Sequence, residues 1–116
     1  GDRTAIRDAH TDFLRAGCDI VSTVTYQVHH RATLDGNGAS AAVLEDGRAD
    51  RMLTDGVDIA ARACGAVGGR RRLVAASIGC YGASLADGSE YTGNYAARGE
   101  PDLVAFHRRK AAVLAR

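Results

Sequence analysis

Aromatic residues make up only 5% of this sequence. So few rings leave little on which nucleic-acid bases can stack. A formal net charge of +1 supplies no strong field to draw in a polyanion or an anionic membrane. Neither nucleic acid nor a membrane surface is therefore an expected partner. The longest apolar runs, such as Leu73 to Ala76, are far shorter than a bilayer span. The three cysteines, Cys18, Cys64 and Cys80, are odd in number and widely spaced, with no Cys-x-x-Cys pair. That pattern argues against a disulfide framework and a self-contained zinc site, and favours a reducing, cytoplasmic setting. Gly1-Asp2-Arg3-Thr4 is polar and leads straight into a helical pattern, so no apolar signal segment is expected and the start reads as the middle of something longer.

What remains is an ordinary soluble globular composition, 46% hydrophobic and 25% charged, over 116 residues, the size of one small domain. Arg70-Arg71-Arg72 reads as a solvated turn ahead of a strand.

Hydrophobic periodicity gives the element order. Ile6, Ala9, Phe13 and Leu14 recur at helical spacing within Thr4 to Ala16, and Gly17 supplies the stop. Ile20 to Tyr26 is rich in β-branched residues and reads as a buried strand. His29 to Gly47 reads as a loop with one short helix near Ala39 to Leu44. Leu53, Val57, Ala60 and Cys64 mark a second helix, ended by Gly65, Gly68 and Gly69. Leu73 to Gly79 is a second strand, apolar enough to be covered on both faces. After a polar loop from Cys80 to Glu100, Pro101 opens a last helix whose faces are set by Leu103, Phe106, Lys110, Val113 and Leu114.

Helix, strand, helix, strand, helix implies parallel strands joined by right-handed crossovers. Two such strands do not make a stable sheet between them. A β/α barrel holds about eight such units in ~250 residues. The fold class expected is therefore α/β: about two parallel strands with surrounding helices, a fragment of a (β/α)8 TIM barrel.

In parallel α/β folds, ligands meet the loops that leave the C-terminal ends of the strands. One such segment here runs from Thr23 to Gln27. The other runs from Ser77 to Ala83 and continues into a long loop with Asp87, Ser89, Glu90, Tyr91 and Tyr95. Carboxylates, a hydroxyl and phenols beside glycines suit a small zwitterionic ligand. Asp87 or Glu90 can pair with an ammonium or sulfonium group, while Ser89 and backbone N–H groups can hold a carboxylate. Composition equally allows Asp87-Gly88 to be only a turn and Glu90 only a cap.

The run Leu85-Ala86-Asp87-Gly88-Ser89-Glu90-Tyr91-Thr92-Gly93, within Ala75 to Tyr95, resembles the motif of homocysteine S-methyltransferases that use S-methylmethionine or a related sulfonium donor. Ile6 to His10, Leu14 to Ile20 and Thr25-Tyr26-Gln27 are similar to that family's first crossover helix and second strand, and Phe106-His107-Arg108 to the start of its next helix. The resemblance covers nearly the whole chain. It implies a barrel that moves a methyl group from the sulfonium donor to the homocysteine thiol, giving methionine, with Tyr26, Gln27, Asp87, Ser89, Glu90 and Tyr91 in the substrate site. It also implies a zinc ion held by three cysteines of late strands, outside this chain. On this reading residues 1–116 are a partial homocysteine-binding barrel domain lacking the first strand and the zinc-binding part. Its partners are homocysteine, the donor and the missing remainder of the barrel, and the isolated piece is expected to be inactive.

The sequence departs from the family at three places. Val28-His29-His30 replaces small residues after Tyr-Gln, Cys80 stands where the family usually has proline, and Gly36 to Gly47 is unusually rich in glycine. Cys18 and Cys64 read as small buried hydrophobes. His29-His30 reads poorly as a ligand pair, since neighbours in an extended loop point apart. His10 and His107 read as helix-surface or packing residues. Two other readings compete: a free-standing α/β module whose long loop binds an anion, and an interaction fragment that assembles through exposed strand edges.

Overall fold

The computed structural model describes residues 2–30, 43–95 and 98–116. Helix α1 spans Arg3–Arg15. Its N-cap is Asp2, whose carboxylate accepts from the N–H groups of Thr4 and Ala5 at 2.9 and 3.3 Å, satisfying donors that a helix start leaves orphaned. Gly17, at φ +106°, turns the chain out of the helix, a conformation glycine adopts without a Cβ clash. Strand β1, Ile20–Ser22, follows. The chain next forms β2, His29–His30, and then β3, Val43–Leu44, which leads through Glu45 into the long helix α2, Asp46–Val67. Strand β4 is Leu73–Ala75, and helix α5, Glu100–Leu114, starts with Pro101 in its first turn.

Strands β1 and β4 pair in parallel, with Ile20 opposite Leu73 and Ser22 opposite Ala75. The principal core lies on one face of this pair. Leu14 from α1, Val21 from β1 and Ala60 and Ala63 from α2 are buried together, with Cys18, Cys64, Val67 and Val74 packed against them. Small residues on α2 let it lie close to the strands: a Cβ on Gly56 would come within 2.5 Å of the Thr25 methyl. A second cluster joins Val28, Ala49, Leu53 and Val113, and a third joins Tyr81 and Phe106.

The opposite face of the β1–β4 pair is bare. Ile20 is 56% exposed, Val24 61% and Leu73 50%. The expected covering of both faces is thus met on the helix side alone among the described residues, because alternate strand residues point to opposite faces and α1 and α2 both sit on one of them. An apolar cavity of about 620 Å³ beside β1, lined in part by Ile6, Phe13, Ile20 and Val24, continues this bare region. Phe13, expected on the buried stripe of α1, opens onto it at 66% exposure.

Both strands are shorter than expected, because threonine hydroxyls take over the ladder. The Ser77 N–H donates to Thr23 Oγ1 at 2.9 Å, and the Thr25 hydroxyl donates to the Ser77 carbonyl at 2.7 Å. The two threonines, 2.6 Å apart at their oxygens, are both buried. Side chains that bond neighbouring backbone groups in this way compete with regular strand pairing.

The helix expected near Ala39 to Leu44 falls partly outside the described residues. Its last two positions are strand β3, parallel to β2. His29 and His30, expected in a loop, are fully buried strand residues. They tolerate burial because each ring finds a polar partner: His30 Nε2 lies 2.7 Å from Asp50 Oδ1 and His29 Nδ1 lies 2.6 Å from Lys110 Nζ. The long polar loop is also more regular than expected, since it contains the short helices α3, Tyr81–Leu85, and α4, Ser89–Thr92. Among the described residues no helix is long and apolar enough to cross a membrane.

Candidate substrate site

The two segments that leave β1 and β4 meet at one end of the sheet. Tyr26, past the end of β1, donates its phenol O–H to Glu90 Oε2 at 3.2 Å, and its oxygen lies 3.8 Å from the Cys80 sulfur. Glu90 belongs to α4 and is 64 positions away in sequence. The contact therefore joins the two loops expected to form the site.

Two glycines make this approach close enough. A Cβ on Gly79 would overlap the Tyr26 carbonyl oxygen, and a Cβ on Gly82 would come within 2.5 Å of the Glu90 backbone nitrogen. Glycine at both positions lets α3 and α4 nest against the strand ends. Ala86, at φ +56°, and Gly88, at φ +85°, turn the chain between the two helices.

The remaining candidates fall into separate groups. Asp87 and Ser89 bind each other: Asp87 Oδ1 accepts from the Ser89 backbone N–H at 2.9 Å and from the Ser89 hydroxyl. These bonds hold the Asp87 carboxyl below the usual carboxylate range, since they favour the charged form. Asp87 itself is exposed while Ser89 is buried, so Asp87 organises the turn into α4 as well as facing solvent. Gln27 is exposed and its Oε1 lies 3.4 Å from His29 Nε2. Tyr91 projects outward at 86% exposure, and a hydrogen bond to Glu90 raises its pKa.

The electrostatics at the rim are those of an acidic and phenolic patch. The Tyr26 phenol is pushed up to about 12, first by its hydrogen bond to Cys80, then by burial and the charge of Cys80, with Glu90 adding in the same direction. Tyr95 is raised by burial first and by Cys80 next. A carboxylate flanked by phenols that stay neutral offers a negative charge and ring faces, both suited to a cationic group.

Beneath the rim lies a feature that periodicity pointed to without being read for it. Lys110 falls on the stripe shared with Leu103, Phe106 and Val113, and it is buried with them at 1% exposure. Its ammonium reaches His29 Nδ1 at 2.6 Å and the Gly79 carbonyl at 3.2 Å, and lies 4.3 Å from the centre of the Phe106 ring. Burial pulls Lys110 down to about 8. His29 is lowered to about 4 by burial, then by the Lys110 charge and by His30.

The described residues do not fit a metal centre. No group of three His, Cys, Asp or Glu side chains among them is placed to hold an ion. Cys18, Cys64 and Cys80 are free thiols, the first two packed on the principal core. The His29-His30 rings are engaged by Lys110 and Asp50. His10 is buried, with Nε2 unpartnered among the described residues and its pKa lowered by burial, as a neutral packing histidine would be.

The chain is similar to known proteins in sequence and in fold. The homocysteine S-methyltransferase of Bacillus subtilis (strain 168) is 39% identical over 117 residues, covering 94% of this chain and 35% of its own. Homocysteine S-methyltransferase 1 of Arabidopsis thaliana is 41% identical over 120 residues, with the same coverage. A selenocysteine Se-methyltransferase of Brassica oleracea var. italica is 38% identical over 129 residues, covering 95% and 34%. The crystal structure of the homocysteine methyltransferase of Escherichia coli, in its metallated form, superposes with a TM-score of 0.79 at 33% identity, over 98% of this chain and 39% of that one. The chain thus spans about a third of the length of the curated relatives it matches, and its strands and helices are those of part of a β/α barrel. The homocysteine S-methyltransferase family matches residues 2–116, and the chain belongs to that family.

Proposed function

We propose that the complete enzyme containing this segment transfers a methyl group from S-methylmethionine or a related sulfonium donor to the thiol of homocysteine, giving methionine. The observation that carries this reading is the Tyr26–Glu90 contact, which sets a carboxylate and a phenol at the strand ends, where a β/α barrel binds its ligands. In the reaction the homocysteine sulfur forms a bond to the methyl carbon as the donor's carbon–sulfur bond breaks, and the sulfonium leaves as a neutral thioether. Such a transfer depends on in-line placement more than on proton movement, so the side chains here act by positioning and electrostatics.

On this reading Glu90 pairs with the ammonium or sulfonium group of a substrate. Tyr26 holds the Glu90 carboxylate in place and presents its ring beside it. Asp87 and Ser89 shape the turn that carries Glu90 and add negative charge, Tyr91 borders the opening, and Gln27 offers its amide to a substrate carboxylate. The acidic rim disfavours the competing reading of an anion-binding module. The bare face of β1 and β4 favours a segment that works only when joined to the rest of a barrel. Residues 1–116 are then a partial homocysteine-binding barrel domain whose first strand, and whose zinc-binding cysteines, are supplied by other parts of the polypeptide. When bound, that zinc would hold the homocysteine sulfur as thiolate. The setting is cytoplasmic, and neither nucleic acid nor membrane takes part.

Calorimetric titration of homocysteine and of S-methylmethionine into the complete protein tests this. Glu90→Gln is expected to weaken at least one of the two about tenfold or more, the loss of one charge-assisted contact. Unchanged affinity for both would remove Glu90 from the site.

A further inference from the structure

The buried Lys110–His29 pair lies one shell beneath Gln27, and its chemistry constrains what Gln27 can offer. A lysine ammonium has three donors and no acceptor. With Lys110 an ammonium, His29 Nδ1, 2.6 Å from Lys110 Nζ, is the accepting nitrogen of a neutral ring, which leaves the proton on Nε2. Nε2–H in turn faces Gln27 Oε1 at 3.4 Å. An amide that accepts through its oxygen there keeps its NH2 donors off His29, and Gln27 is an exposed residue.

We propose that Lys110 is a positioning residue of the substrate site: it fixes the Nε2–H tautomer of His29, which orients the Gln27 amide so that its NH2 donors face the ligand. A substrate carboxylate is the group such donors would take. The proposal deepens the functional reading above and rests on it for the role of Gln27, though not for the tautomer.

Three further observations fit a rigid relay. Ring and ammonium are both shut off from solvent: His29 is 0% and Lys110 1% exposed. Phe106 braces both, stacking on His29 with ring centres 5.8 Å apart and planes 27° from parallel, and lying under the ammonium. Lys110 also donates to the Gly79 carbonyl at 3.2 Å, so the same amine ties the end of the β4 segment to the segment after β1. The downward shift of His29 and the value of about 8 for Lys110 are consistent with a neutral ring facing an ammonium at neutral pH.

Long-range nitrogen–proton correlation spectra of histidine-labelled complete protein read the tautomer directly. The expected native signal is an Nε2–H ring for His29, assigned through His29→Asn. A Nδ1–H or doubly protonated ring at neutral pH would overturn the proposal, and this result needs no variant at position 110 to fold. Lys110→Met removes the obligate donor, so the His29 signal should move toward a mixture of tautomers. An unchanged signal in a folded Lys110→Met protein would equally overturn it. In steady-state assays Lys110→Met and Gln27→Glu should each raise KM for the amino-acid substrate about tenfold, the value of one hydrogen bond to a charged group, with kcat changed much less. Loss of kcat alone would contradict a positioning role. A complete protein with no methyl transfer at all would defeat the proposed function while leaving the tautomer result to stand or fall by itself.

Discussion

Gly79 sits directly against Tyr26, so closely that a side-chain carbon at position 79 would overlap the Tyr26 carbonyl oxygen. This backbone-to-backbone approach locks the end of the β4 segment to the end of the β1 segment. It places Cys80 and, through α3 and α4, Glu90 beside the Tyr26 phenol. Gly79→Ala should therefore destabilise the complete protein by about 3 kcal/mol or more, since backbone cannot yield as a flexible side chain can. Gly65, in α2 with open space around it, is the control: Gly65→Ala should be neutral or stabilising by about 0.5–1 kcal/mol, from helix propensity. Denaturant unfolding of the two variants checks both values, and equal effects would refute the close-approach argument.

The Tyr26 phenol should titrate far above an ordinary tyrosine, at about 12. Because its hydrogen bond to Cys80 is the first cause, Cys80→Ala should lower that titration more than Glu90→Gln does. Ultraviolet absorbance between pH 9 and 13 follows phenolate formation, with Tyr26→Phe identifying the transition. A larger effect of Glu90→Gln would reverse the order of causes.

Asp87 accepts two hydrogen bonds from Ser89 through a single oxygen, so substitution there separates shape from charge. Asp87→Ala should reduce activity of the complete enzyme strongly without unfolding it. Asp87→Asn keeps an acceptor oxygen for the turn while discarding the charge, and should recover activity to within about tenfold of the parent, since solvent screens an exposed charge. An Asn variant as poor as Ala would assign Asp87 a direct electrostatic contact with substrate. Full activity in Asp87→Ala would remove it from the site.

Stability should decline on mild acidification. His29 is neutral in the fold, with its value depressed to about 4 from an ordinary 6.5. Below about pH 6.5 the unfolded chain therefore binds a proton that the native ring refuses, and stability falls as pH drops from there toward 4. His10 and His107, both lowered by burial, act in the same direction. The Asp50 carboxylate, lowered by its bond to His30, adds its loss at more acid pH. Melting temperatures of the complete protein across pH 7.5 to 4.5 should show this slope, and a flat profile would contradict buried neutral histidines.

Much of this architecture was legible from residue pattern, and the misses have physical causes. The periodicity of Ile6, Ala9 and Leu14 and of Leu53, Ala60 and Cys64 located α1 and α2, Gly17 and Pro101 located a stop and a start, and a β-branched run and an apolar run located the two parallel strands. The convergence of the two loops followed from the strands being parallel. The strand pair β2–β3 was not legible, since burial of two adjacent histidines depends on Asp50 and Lys110, which lie 20 and 81 positions away from their partners. Helices α3 and α4 were missed because five and four residues are too few to show a helical period. Lys110 was assigned to the correct stripe of α5. Only the partner at its far end, a neutral imidazole, reveals why a lysine belongs there.

On the function proposed above, these residues form an arc of a methyl-transferring barrel, with the Tyr26–Glu90 rim facing its substrates. The most direct measurement replaces the matching segment of an active homocysteine S-methyltransferase with residues 2–116 and assays methionine formation from homocysteine and S-methylmethionine. The chimaera should make methionine, lose at least about tenfold of that activity on Glu90→Gln, and leave the purified 116-residue chain inactive by comparison. A folded chimaera without activity, an active one indifferent to Glu90→Gln, or methionine made by the short chain alone would rule out this role for the segment.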